Sequence, residues 1–155
     1  MYSNYLIVEI LSYINKNLFK KISIEELENY FNYNRDYIMR LFKREIGITI
    51  VEYINIKRIY YSLGFVANSD YSLLKISILS GFYSQEYYSE IFKKYIGFSP
   101  SIYRKFIIRD ISISSDVNNE INKNIDIIKQ KLIVADKYMS NLEPVNKTRI
   151  LSIFK

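Results

Sequence analysis

Two clusters of basic side chains lie fifty residues apart in the chain, and their chemistry suits binding to a polyanion. The basic residues of these clusters are Arg35, Arg40, Lys43, Arg44, Lys93 and Lys94. Guanidinium and ammonium groups neutralise phosphates, and a guanidinium also matches the hydrogen-bond acceptors of guanine. The net charge of +6 at pH 7 is compatible with such a partner, although an AT-rich genome also explains the bias toward Lys, Asn, Ile and Tyr.

The absence of Cys and His excludes several classes of chemistry. It removes disulfides, thiolate zinc ligands and the side chain that most often acts as a general base. We therefore expect no enzymatic activity, no metal and no cofactor. No apolar run is long enough to span a bilayer, and the N-terminus lacks a basic leader with a cleavage site. We expect a cytoplasmic protein with no membrane partner.

An internal repeat organises the chain. The segment FKREIG at residues 42–47 recurs as FKKYIG at 92–97, an offset of 50 residues. The composition is that of a soluble globular protein, and only 4 Gly and 2 Pro among 155 residues favour continuous helices over a turn-rich β architecture. We therefore expect an all-α fold with two similar units.

Each unit is predicted to be a short helix, a tight turn and a second helix. In the first unit, residues 23–26 form a capping box, Asn32 tolerates the left-handed conformation of a turn, Asn34 caps the second helix and Gly47 ends it. The apolar stripe of that second helix consists of Ile38, Leu41, Phe42 and Ile46. Its outward face consists of Arg35, Asp36, Met39, Arg40 and Lys43.

The second unit repeats this plan. A helix around Ile76 stops at Gly81, and Ser84 caps the next helix. The inward residues of that helix are Tyr88, Ile91, Phe92 and Ile96. Its outward residues are Gln85, Glu86, Ser89, Glu90 and Lys93. A second capping box at 49–52 opens the long helix that joins the units, and Ser99-Pro100 begins a closing helix.

Residues 58–104 resemble the signature of the AraC/XylS family of transcription regulators. The residues that carry the resemblance are Arg58-Ile59, Phe65-Val66, Ile76, Gly81-Phe82, Tyr87-Tyr88, Phe92-Lys93-Lys94, Gly97, Ser99-Pro100 and Tyr103-Arg104. The family pattern extends to about residues 5–106. It implies seven helices with a long helix at about 50–66 joining two helix-turn-helix units, and a DNA-binding domain at 1–106 that no effector-binding domain precedes.

The resemblance also implies a function, which is sequence-specific binding of promoter or operator DNA in a bacterial cytoplasm, at the nucleoid. The helices at about 34–46 and 84–96 would read two successive major grooves. Base-reading positions fall at Asp36, Met39, Arg40, Gln85, Glu86 and Glu90, and we add Arg35 from the outward face. Arg40 suits guanine and Gln85 suits adenine. We expect phosphate contacts from Asn34, Lys43, Arg44, Ser84, Lys93, Lys94, Arg104 and Lys105.

Four residues depart from what the family pattern leads us to expect. Glu28 and Ser77 occupy positions where small residues are usual, and burying the Glu28 charge would be costly. Glu86 and Glu90 put negative charge on the second reading face. They accept from cytosine or discourage wrong sites, or else Glu86 favours its helix N-terminus and Glu90 pairs with Lys94. The alternative function is a helix-turn-helix-derived protein-interaction module or anti-regulator with weak or no DNA binding.

Residues 107–155 form a C-terminal extension beyond the resemblance. Residues 107–115 are a connector, with a short strand as one option, and 116–142 read as one long amphipathic helix that Pro144 ends. The heptad-like apolar seam of this helix is formed by Val117, Ile121, Ile125, Ile128, Leu132, Ala135 and Met139. Three interpretations stay open: a homodimer or partner helix, a helix docked on its own domain, or the start of a further domain. RNA polymerase is a separate candidate partner of such a regulator.

Overall fold

The computed structural model describes residues 2–108 and 114–153, with side chains described for 4–107 and 114–140. Within these ranges the chain forms eight helices and no strand. The helices are α1 (Tyr2–Lys16), α2 (Ile24–Phe31), α3 (Arg35–Ile46), α4 (Ile50–Asn68), α5 (Leu73–Leu79), α6 (Gln85–Ile96), α7 (Pro100–Ile108) and α8 (Ser115–Ile153). The predicted all-α fold with two helix-turn-helix units joined by a long helix is confirmed.

The local signals of the first unit act as predicted. Ser23 Oγ accepts a hydrogen bond from the Glu26 amide, and the Glu26 carboxylate accepts one from the Ser23 amide, each at 3.1 Å. Asn32 adopts the left-handed conformation at φ 56°. Thr49 likewise caps α4, but the carboxylate of Glu52 does not complete a box there, because it forms an ion pair with Lys131 of α8 at 2.9 Å.

The two units share one hydrophobic core with α1 and α4. Its largest fully buried side chains include Tyr53, Tyr88, Phe42 and Phe92. The Tyr53 hydroxyl donates to Asn15 Oδ1 and the Tyr88 hydroxyl to Ser62 Oγ, each at 3.1 Å. Burial raises the pKa of both phenols to about 12. Tyr53 and Tyr88 therefore serve packing of the core.

Helix α8 begins within one residue of its predicted start, but the prediction that Pro144 ends it is wrong, because the helix continues to Ile153. A proline lacks one backbone donor and bends a helix, but a long helix can continue beyond it. On the other side of the connector, α7 extends to Ile108. Residues 109–113, where a short strand was one option, lie outside the described residues. The seam residues Ile121, Ile128, Leu132 and Ala135 are buried against the chain's own domain. The docked arrangement is thus the one observed.

A guanidinium joins α4 to the turn between α1 and α2, beside a glycine of the second unit that has no room for a side chain. Arg58 of α4 donates to the backbone carbonyls of Leu18 and Lys20 in the turn after α1, each at 2.8 Å. Gly81, at φ +87°, packs against this contact. A Cβ on Gly81 would lie 2.9 Å from both Arg58 Nε and the Leu18 carbonyl oxygen. The position therefore requires glycine for its backbone conformation and for space.

We predict opposite effects of alanine at two glycines. Gly81→Ala is expected to destabilise the protein by at least about 1 to 3 kcal/mol, because it combines a left-handed non-glycine residue with a steric clash. Gly64→Ala, in the exposed interior of α4 with nothing near a Cβ, is expected to stabilise by about 0.5 to 1 kcal/mol. Urea unfolding followed by circular dichroism measures both. Equal effects at the two sites would refute the argument.

Candidate nucleic-acid interface

The second helices of the two units, α3 and α6, begin and end alike. Asn34 Oδ1 accepts from the Asp36 amide at 2.9 Å, and Ser84 Oγ accepts from the Tyr87 amide at 3.1 Å. The amides of Gly47 and Gly97 then close the helices onto the carbonyls of Lys43 and Lys93, each at 2.9 Å. The caps consume the side-chain oxygens of Asn34 and Ser84. What remains for an anion is the donor capacity of these two side chains.

Stacked tyrosines flank the start of each of these helices. Tyr33 stacks on Tyr37 with ring centroids 5.4 Å apart, and Tyr83 stacks on Tyr87 at 5.1 Å. Tyr83 is 83% exposed. These pairs were not predicted from the sequence, although the offset of 50 residues relates Tyr33 to Tyr83 as it relates Tyr37 to Tyr87. Tyr33 and Tyr83 are exposed, whereas the Tyr87 hydroxyl accepts a hydrogen bond from Asn55 of α4 at 3.0 Å.

The outward face of α3 lies free as predicted. Ile38, Leu41, Phe42 and Ile46 are buried. The exposed residues of the helix include Arg35, Asp36, Met39, Arg40 and Lys43. Arg44 is also exposed, but its Nε donates to Glu45 Oε1 at 2.8 Å. The last two turns of α3 therefore present the cations of Arg40 and Lys43, together with Arg44, whose guanidinium is paired with Glu45.

The outward face of α6 carries a different charge pattern. Glu86 and Glu90 are exposed, and Gln85 is half-buried. The predicted ion pair of Glu90 with Lys94 is not formed between these two described residues. Instead the Lys94 ammonium lies 5.4 Å from the centroid of the Tyr95 ring. The acidic groups of this face thus remain without a cationic partner in the described part of the chain.

A second guanidinium repeats the contact that Arg58 makes. Arg104 of α7 donates to the Val66 carbonyl at 3.1 Å and to the Tyr71 carbonyl at 2.8 Å, at the end of α4. We call the contacts of Arg58 and Arg104 the two arginine clamps. Arg104 was predicted as a phosphate contact, but the structure commits it to backbone carbonyls. Its neighbour Lys105 is exposed.

Glu28 avoids the cost of charge burial through its position. The half-buried carboxylate accepts from the Arg35 amide at 3.3 Å, at the N-terminus of α3. The amides at a helix N-terminus lack partners in the helix, and the helix dipole favours a negative charge there. Ser77, the other departure, is buried and donates to the Leu74 carbonyl at 2.7 Å. Both residues therefore fit their places in the two units.

Other types of site find little support in the described residues. No cluster of three or more His, Cys, Asp or Glu side chains there is arranged to hold a metal ion. Among the same residues, no helix is both long and apolar enough to cross a membrane. The features that recur in both units are the capped helices, their outward polar faces and the arginine clamps.

Comparison with known proteins gives the same picture. A family model described as "Helix-turn-helix domain" matches residues 27–105. An uncharacterized response regulatory protein of Staphylococcus epidermidis is 38% identical over 104 residues, which are 67% of this chain and 41% of that protein. The chain therefore spans about two fifths of this relative's length.

Two further matches have descriptive names. The HTH-type transcriptional activator AarP of Providencia stuartii is 30% identical over 99 residues, which are 64% of this chain and 73% of that protein. The solved DNA-binding domain of AdpA, in complex with a target DNA, is 22% identical with a TM-score of 0.60, covering 64% of this chain and 90% of that one. The latter likeness concerns the fold.

We predict that Arg104 is needed for folding. Arg104→Ala is expected to destabilise the protein by about 2 kcal/mol or more, because two carbonyls at a helix end lose charge-assisted donors. Arg104→Lys restores only part of this, since an ammonium lacks the planar fork. Lys105→Ala is the matched control and is expected to leave unfolding in urea unchanged. A loss of stability that is the same in Arg104→Ala and Lys105→Ala would contradict the assigned role.

Proposed function

Because this chain belongs to the AraC/XylS family of helix-turn-helix domains, we propose that it binds double-stranded DNA sequence-specifically and regulates transcription. Family membership rests on the match over residues 27–105. One relative is named as a transcriptional activator, and a solved chain of the same fold is in complex with DNA. The family is one of regulators, and the proposal includes no enzymatic step.

The observation that carries the proposal is the duplicated presentation of α3 and α6. A helix of this kind fits the major groove, where each base pair displays a distinct pattern of donors and acceptors. The two helices are fixed to the same core, so one chain presents two reading faces. We propose that they enter two successive major grooves without a need for dimerisation.

We propose a base-reading set on these two faces. Its members are Arg35, Asp36, Met39, Arg40, Gln85, Glu86 and Glu90. Arg40 is fully outward and long enough to donate two hydrogen bonds to guanine, while the amide of Gln85 matches adenine. Each such bidentate contact is worth about 1 to 3 kcal/mol of discrimination between bases.

Phosphate contacts are proposed for a second set of residues. Its members are Asn34, Lys43, Arg44, Ser84, Lys93, Lys94 and Lys105. Arg104 is left out because its guanidinium is held by the carbonyls of Val66 and Tyr71. These contacts would fix the register of the protein on the duplex and supply the affinity that does not depend on sequence.

A second candidate function is favoured by one observation, the exposed and unpaired carboxylates of Glu86 and Glu90. Negative charge on a reading face repels phosphates, so α6 would then contact a protein rather than DNA. This candidate predicts DNA contact through α3 alone, or none. The two candidates therefore differ in whether substitutions in α6 change DNA recognition.

The domain bounds, the place of action, a polymerase partner and the oligomeric state are finer points of the proposed function. We place the DNA-binding domain at residues 1–106 and its action at bacterial chromosomal DNA in the cytoplasm. RNA polymerase is the partner expected of a regulator that activates. A homodimer through the apolar seam of residues 116–142 would require α8 to leave the core, since the seam residues Ile121 and Ile128 are 5% and 1% exposed. We therefore propose that the chain reads DNA as a monomer.

Selection of binding sites from random duplex DNA tests the two readers. We expect a bipartite motif with half-sites about one helical turn apart. Arg40→Ala should relax one half and Gln85→Ala the other, each by about 1 to 3 kcal/mol in discrimination. Lys129→Ala on the exposed face of α8 removes a charge as Arg40→Ala does and should leave both halves intact. Relaxation by Arg40→Ala alone would favour the protein-interaction candidate for α6.

The salt dependence of binding tests the phosphate set. The double variant Lys93→Ala/Lys94→Ala should weaken binding to selected and unrelated duplexes alike. It should also reduce the slope of log affinity against log salt by about 1 for each phosphate that is no longer neutralised. Fluorescence anisotropy titrations over a salt series measure the slope, with Lys129→Ala again as the control. An unchanged slope in the double variant would remove these two lysines from the interface.

A further inference from the structure

Helix α8 packs against α1, α4 and α6. Its buried residues Ile121, Ile128, Leu132 and Ala135 join the common core, where α8 contacts α1, α4 and α6. The family match ends at residue 105, so this helix is an addition to the part of the chain that the family model describes. The added helix thus packs on the second unit and on the two helices, α1 and α4, that support both units.

The polar contacts of α8 are made at the ends of the two proposed recognition helices. Asn124 Nδ2 donates at 2.9 Å to the carbonyl of Ile96, the last residue of α6. The Tyr138 hydroxyl donates to the carboxylate of Glu45, the penultimate residue of α3. This hydrogen bond is the main cause that lowers the pKa of Glu45 from its ordinary value, with the adjacent Arg44 adding to it.

The contacts of α8 with α3 and α6 lie far apart along the helix. Asn124 and Tyr138 are separated by 14 residues, which is about 21 Å of α-helix. Between them, Lys131 forms the ion pair with Glu52 near the start of α4. One rigid rod therefore holds the C-terminal ends of α3 and α6 and the helix that joins the two units.

The polar contacts of α8 are of a kind that fixes the orientation of a helix end. The last carbonyls of a helix lack partners within it, and a donor that binds one of them fixes the end of the helix. Asn124 sits so close to Gly97, the residue after α6, that a Cβ there would lie 2.9 Å from its amide nitrogen. The N-terminal ends and outward faces of α3 and α6 stay uncovered by these three contacts.

We infer that α8 is a splint that fixes the angle and separation of the two recognition helices, with Asn124 and Tyr138 as positioning residues. The consequence for DNA rests on the proposed function: the splint would set which spacing between half-sites the protein accepts. Without it, α4 and its own contacts with the units, such as the hydrogen bond from Asn55 of α4 to Tyr87 of α6, would alone hold the two faces in register.

The absence of Cys allows a direct test on the full chain. Asn29 in α2 and Ile78 in α5 are both exposed. In the labelling variant Asn29→Cys/Ile78→Cys, spin labels react with these two cysteines alone, because the chain has no other thiol. Pulsed electron resonance then gives the distribution of distances between the two units in the absence of DNA. In Asn124→Ala/Tyr138→Phe we expect this distribution to broaden or shift relative to the parent. Ile10→Val, a core change in α1 that removes none of the three contacts, controls for a general loss of stability.

A second arm measures binding to duplexes whose half-sites are spaced as selected or with one base pair inserted. The affinity ratio between the two duplexes should fall toward one in the double variant and stay unchanged in Ile10→Val. An unchanged distance distribution in the double variant, or the same change in Ile10→Val, overturns the splint. A broadened distribution with no DNA binding by any variant, the parent included, supports the splint and refutes the proposed function instead.

Discussion

The two arginine clamps are the interaction on which the arrangement of both units depends. Carbonyls at helix ends and in the turns that follow need donors from outside the helix. A guanidinium supplies two N–H groups in a fixed plane and does not lose its charge. Arg58 fixes the end of α1 to α4, and Arg104 fixes the end of α4 to α7. Each unit therefore receives its position from a helix that ends just before it.

The caps and turns of this fold could be predicted from the sequence, whereas contacts between residues far apart in the chain, such as the two arginine clamps, could not. Ser23, Asn32 and Gly47 form their contacts with residues only a few positions away in the chain. Their residue types alone therefore predict a cap or a turn. The roles of Arg104 and Glu52 depend on carbonyls or cations 33 to 79 residues away along the chain, and no spacing rule reports these. A basic residue near the end of a helix-turn-helix unit is equally compatible with phosphate and with a buried carbonyl.

The same limit applies to α8. A heptad-like seam shows that one face of a helix is apolar and avoids water, but it does not say what will cover that face. The sequence left a dimer, a docked helix and a further domain open, and the choice depends on shape complementarity with α1, α4 and α6. The polar residues beside the seam distinguish the docked helix from the other two arrangements, because Asn124, Lys131 and Tyr138 each bind a group of the chain's own domain.

The two outward faces differ in charge, and this has a consequence for how a single chain would meet DNA. The face of α3 presents Arg40 and Lys43, while that of α6 presents Glu86 and Glu90 beside Gln85. Guanidinium and carboxylate groups satisfy different base edges, so the two half-sites would differ in sequence. A symmetric site read by identical subunits needs no such difference. An asymmetric pair of faces on one core instead gives the bound protein a defined direction along the duplex, and a rigid spacing between the faces would preserve that direction.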